Sequence, residues 1–115
     1  MNNARRRVLH KVLRELERLR DPIDKTTALS ILSDAAKKVE MTMDDEEMCV
    51  DARPENLMWS DLTEKMRDCV SDLSDAHCEL ECVLDDCKKM TEFDYSAIQK
   101  DMDKAVKSIN QAIYR

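Results

Sequence analysis

Apolar residues recur along most of the chain at helical spacing, three or four positions apart. Leu9, Val12, Leu16 and Leu19 form the first such stripe, widened by Val8 and Leu13, and predict a helix over about residues 4–20. Asp21-Pro22 ends it, with Asp21 available to cap a second helix that has Pro22 at its first position. The second helix is expected over residues 22–43, through Leu29, Leu32, Ala36, Val39 and Met43. Ala28, Ile31 and Ala35 add an adjacent stripe, which predicts neighbours on two sides and a central place in a bundle. Residues 44–53 begin Asp44-Asp45-Glu46-Glu47, like charge that a helix C-terminus disfavours, and read as an acidic loop.

The longest periodic run comes next. Trp59, Leu62, Met66, Cys69, Leu73, Ala76, Leu80, Val83, Cys87 and Met90 alternate at spacings of three and four without exception. This is a heptad seam, with Trp59, Met66, Leu73, Leu80 and Cys87 at a and the others at d. It predicts a third helix over residues 54–90. Val70 and Leu84 at e widen the face beyond a two-stranded seam and favour a bundle. Tyr95, Ile98, Met102, Ala105, Ile109 and Ala112 mark a fourth helix over residues 92–114. Its register is one residue out of step with the third. That permits a helix break or a skip residue, and a break is favoured because Thr91 and Asp94 resemble a capping box, with Met90 and Tyr95 as its staple.

The expected fold is therefore all-α: an elongated helical bundle or antiparallel coiled-coil hairpin of about four helices in one domain. At 1.5 Å per residue the third helix alone is roughly 54 Å long, so a rod is expected. The last residues, Ile113-Tyr114-Arg115, supply no cap, as in a fragment of something longer.

Composition supports the helical reading and narrows the function. The 115 residues include no glycine and two prolines. Barrels, Rossmann units and P-loops need glycine at sharp turns or near phosphates. Charged residues make up 38% and aromatics 3%, the profile of long exposed helices. The net charge of −6 is unevenly spread. Residues 1–20 carry +5, whereas the stretch from Asp68 to Asp86 has seven acids and no Lys or Arg. Arg7, Lys11, Arg14 and Arg18 recur opposite the first apolar stripe and form an outward basic stripe.

Candidate chemistry is sparse. Five cysteines is an odd number without loop-paired spacing, which disfavours a disulfide framework. Without a long apolar run or signal-peptide core, the protein is expected to be intracellular, in cytoplasm or nucleus. Cys78 and Cys82 at i, i+4 could share a metal or act as a redox switch, but nearby acids raise rather than lower thiol pKa. No nucleophile with its base, no phosphate cradle and no EF-hand loop can be assembled, so an enzyme is not expected, nor is a cofactor.

The expected function is a protein–protein interaction module, a scaffold or adaptor subunit, that binds partner helices through its seam. Trp59, Leu62, Met66, Leu73, Leu80, Val83 and Met90 are the candidate contact residues. Self-association or a helical protein partner follows. The alternative is a regulatory polyanion binder using Arg7, Lys11, Arg14 and Arg18. Net acidity and the lack of interleaved aromatics speak against nucleic acid, and the lack of Trp or Phe on the apolar face speaks against membrane.

Overall fold

The computed structural model describes all 115 residues. It contains four α-helices and no strand: α1 Asn3–Glu17, α2 Lys25–Asp51, α3 Asp61–Lys89 and α4 Tyr95–Ile113. Single 3₁₀ turns, Arg18–Arg20 and Glu55–Leu57, stand in the first two connections. Each α-helix begins with a short polar side chain that accepts from a backbone N–H: Asn2 from Arg5, Asp24 from Thr27, Ser60 from Thr63 and Asp94 from Ser96. No residue has positive φ, so a chain without glycine completes its three reversals in ordinary backbone regions.

Successive helices run antiparallel. Arg5 at the start of α1 reaches Glu46 near the end of α2, His77 of α3 meets Glu40 of α2, and Cys69 of α3 donates to the Ala112 carbonyl of α4. Arg6 of α1 closes the circuit by donating from Nε to the Ile113 carbonyl at 3.0 Å. The predicted stripes form one core: Leu9, Leu19, Leu32, Val39, Leu73, Leu80, Val83 and Ile109 are each fully buried. Burial of each such side chain contributes about 1.5 to 3 kcal/mol. The molecule measures 54 × 21 × 18 Å, a rod as expected.

Four boundaries differ from the sequence expectation. The acidic segment 44–53 is not a loop, because α2 continues to Asp51. The reason is Glu46, whose side chain is fully buried and receives Arg5 Nη1 at 3.1 Å. The Met1 amine adds a charge contact 3.3 Å from Glu46 Oε1, without hydrogen-bond alignment. Asp44, Asp45 and Glu47 face solvent, so the like charges fan around the helix. Asp24 rather than Asp21 caps α2, and α3 begins at Asp61 rather than at residue 54. Between α3 and α4 the helix breaks, as the register shift favoured, but α4 begins at Tyr95 rather than at residue 92, because Asp94 and not Thr91 is its cap.

Helix lengths explain the shape of the two ends. α2 and α3 have 27 and 29 residues, hence about 40 and 43 Å, while α1 and α4 have 15 and 19, hence about 22 and 28 Å. At one end all four finish together, where Lys25 Nζ donates to the Lys88 carbonyl and Leu19 is fully buried. At the other end α1 starts beside Glu46 and α4 stops beside Cys69. The α2–α3 pair projects beyond both.

Candidate interaction surface

The projecting end is held together by local chemistry. Thr63, which is fully buried, donates from Oγ1 to the Leu57 carbonyl at 2.6 Å and accepts from Arg53 Nε at 3.2 Å. Its backbone N–H bonds Ser60 Oγ at 3.2 Å, which caps α3. These contacts fix the link from Arg53 to Ser60 against the first turn of α3. Leu57-Met58-Trp59 presents three large apolar side chains in succession, and one helix face cannot cover all three. Met58 is half-buried, Leu57 is 37% exposed and Trp59 is 84% exposed. The guanidinium of Arg67 lies 5.2 Å from the Trp59 ring centroid, a cation–π contact that positions the indole without covering it.

Leu62 and Met66 continue the inward face of α3 from Cys69 and Leu73, but α4 has ended before it reaches them. Leu62 is 53% exposed and Met66 half-buried. Met48 on α2 is exposed at the same end of the rod. Around this apolar end the charge is mostly negative. Glu47, Asp51, Glu55, Asp61, Glu64 and Asp68 are all exposed, against Arg53, Lys65 and Arg67.

The candidate seam residues thus divide. Leu73, Leu80 and Val83 have no exposed surface and pack within the chain's own core. They are corrected from partner contacts to core residues, because the helices that the periodicity asks for are supplied by α2 and α4. Met90 caps the C-terminus of α3, packed partly against the core. Of the expected seam, Leu62 is exposed and Met66 and Met90 are half-buried, whereas Trp59 is corrected from a seam position to an exposed turn residue, because α3 starts only after the Ser60 cap.

The basic stripe survives as a surface. Arg7, Lys11, Arg14 and Arg18 are exposed, and Arg18 pairs with Glu15 at 2.8 Å. Arg7, His10, Lys11 and Arg14 line an open groove of about 580 Å³ on α1. Arg5 and Arg6 do not belong to it. Burial opposes the charge on Arg5, but its contacts to Cys49 and Glu46 outweigh that and hold its pKa above the ordinary value.

The five cysteines are free. Burial pushes the Cys69 and Cys87 thiols up in pKa, while Cys78 and Cys82 are exposed on the outer face of α3. Nowhere do three His, Cys, Asp or Glu side chains gather as a metal set. His77 is directed to Glu40 at 2.9 Å and Glu81 at 3.5 Å. No helix is long and apolar enough to cross a membrane.

Two features escaped the sequence reading: the Glu46–Arg5 pair and the exposure of the seam's first two turns. A signal for the first was present, since Val39, Thr42, Glu46 and Val50 follow core spacing and put an acid at an inward position. No family model matches the chain, and no curated protein or solved structure matches it.

Proposed function

We propose that this chain is a non-enzymatic interaction module, a scaffold or adaptor subunit, that receives a partner helix at the uncovered end of α3. The observation that carries this reading is the mismatch of helix lengths. The first two turns of α3 lie beyond the helices that cover the rest of it, leaving Leu62 53% exposed, and Trp59, in the turn just before the Ser60 cap, is 84% exposed. Tryptophan is the residue type most enriched among interface anchors, and a pre-formed site loses little entropy on binding.

The test compares proteins co-purifying with the wild-type chain and with a Trp59→Ser/Leu62→Ser double variant. Helicity is checked by circular dichroism. The reading expects specific companions of the wild type to be lost from a variant that is still folded. The same companions at the same yield on both would overturn it.

A second reading, polyanion binding, is favoured by one observation: three bases, Arg7, Lys11 and Arg14, line one open groove against a single acid, Glu17. Salt-sensitive retention on DNA, RNA or acidic liposomes that disappears when Arg7, Lys11, Arg14 and Arg18 become Gln would establish it. Retention indifferent to those changes would remove it.

A further inference from the structure

Two surfaces of opposite charge lie apart on the same rod. At the tip formed by the α2–α3 link, residues 55–64 carry three exposed acids, Glu55, Asp61 and Glu64, and no Lys or Arg. Trp59 stands among them 84% exposed, with Leu57 close by in the same turn. On α1, residues 5–14 carry five bases and no acid. Arg5 and Arg6 are taken up within the chain, by Glu46 and by the Ile113 carbonyl. Arg7, Lys11 and Arg14 are exposed and line the open groove of about 580 Å³, where half-buried Leu13 is the one apolar contact and Glu17 the one acid.

Each surface offers what the other lacks. The acids around Trp59 would meet bases in the groove, and the face of an indole attracts guanidinium groups such as those of Arg7 and Arg14. Arg67 already makes one contact of this kind, 5.2 Å from the ring centroid, and leaves most of the ring open. The two surfaces cannot meet within one chain. α1 starts beside Glu46 and runs away from the tip, while the α2–α3 pair projects beyond that start.

We infer that the partner helix at the tip is α1 of a second copy: Trp59 of one chain enters the basic groove of the next, with Glu55, Asp61 and Glu64 set against Arg7, Lys11 and Arg14. This rests on the interaction reading above and names the partner. Charge complementarity carries the choice, because the chain's own α1 supplies both the bases and the groove that an acidic, aromatic tip fits. The contact joins unlike surfaces, so each pair keeps a free tip and a free groove unless the rotation between copies closes the set. It is also weak. One indole anchors it and exposed ion pairs add little, so half-association is expected on the order of 100 µM and the dilute chain is a monomer.

Two variants divide the contact so that neither associates alone. Trp59→Ser keeps the groove and removes the chain's only tryptophan, whereas Lys11→Glu/Arg14→Glu keeps Trp59 and reverses the groove. The three positions are exposed, so both variants should keep wild-type helicity in circular dichroism. In a mixture, tryptophan emission then comes from the groove variant alone. Titrating the Trp59→Ser chain into it at low salt is expected to shift that emission to the blue, saturably, while light scattering reaches the mass of one chain of each. In about 0.5 M salt the binding should weaken roughly tenfold, as screened charge contacts do. A chain carrying all three substitutions should give no shift. The wild-type mass should rise with concentration, and that of either variant alone should not.

No shift from the Trp59→Ser chain, or an equal shift from the triple variant, would overturn the inference. If the Trp59→Ser/Leu62→Ser variant nonetheless loses companions in the co-purification experiment, another protein occupies the tip, and the interaction reading stands without this partner.

Discussion

Leu62 and Leu80 lie on the same ridge of the same helix, and truncating each to Ala removes the same atoms. The structure predicts unequal costs. Leu80 has no exposed surface and sits inside a core contributed by all four helices. Leu80→Ala loses transfer energy and leaves a cavity, together about 3 to 4 kcal/mol. Leu62 is 53% exposed, so it keeps under half of the transfer term and leaves no enclosed cavity. Leu62→Ala should cost less than about 1 kcal/mol, partly offset by alanine's helix propensity. Urea unfolding followed by far-ultraviolet circular dichroism measures both. With a slope of about 1.5 kcal/mol/M, the midpoint should fall by about 2 M for Leu80→Ala and by about 0.5 M for Leu62→Ala. The slope itself should not change. Comparable losses at the two positions would mean that Leu62 is covered, and the proposed contact surface would not be free.

Glu46→Ala should cost about 3 kcal/mol, because it leaves the Arg5 guanidinium without its buried partner, and the thermal midpoint of the variant would read this. Ser60→Ala removes the side chain that accepts from Thr63 N and should cost about 1 kcal/mol in the same assay, while Trp59→Ser should stay within about 0.5 kcal/mol of wild type. Alkylation followed by mass mapping should label Cys78 and Cys82 first and reach Cys69 and Cys87 only on unfolding. Because burial raises the folded-state pKa of Cys69 and Cys87, their contribution to stability is complete below the unfolded thiol pKa and is lost as pH rises through the folded value. The urea midpoint should therefore fall on the alkaline side, with a smaller fall in a Cys69→Ala/Cys87→Ala variant.

The parts of the fold that were legible in the sequence are those set by local periodicity. Leu9 to Leu19, Leu73 to Cys87 and Ile98 to Ala112 are stripes whose spacing alone gives an inward face, and all became core. The break before α4 was legible for the same reason, since a one-residue shift of register cannot be absorbed by a straight helix without cost. The acidic end of α2 was legible only in part: Val39, Thr42, Glu46 and Val50 keep core spacing through it, but Arg5, the partner that Glu46 meets, lies about forty positions away in sequence, beyond the reach of any local signal. The start of α3 was misplaced because Pro54 can open a helix, whereas Ser60 had the better capping geometry with Asp61 and Glu64 in the first turn behind it.

The candidate surface was half legible. Periodicity identified the ridge from Trp59 to Met90 but carried no information on how far α1 and α4 would run beside it. Which ridge residues are core and which are free depends on the difference between helices of 15, 19, 27 and 29 residues. That difference arises from separate caps and breaks in four segments, so the division at Cys69 emerged only when they were packed together.

Fluorine NMR of the fluorotryptophan-labelled chain, alone and in complex with whatever protein co-purifies with it, tests the central claim most directly. The single tryptophan gives a single resonance. In the isolated chain that resonance should respond to solvent isotope as an exposed indole does. In the complex it should shift and lose that response as Trp59 is covered. An unchanged, water-exposed resonance in a complex of demonstrated stoichiometry would place the contact elsewhere and contradict the account.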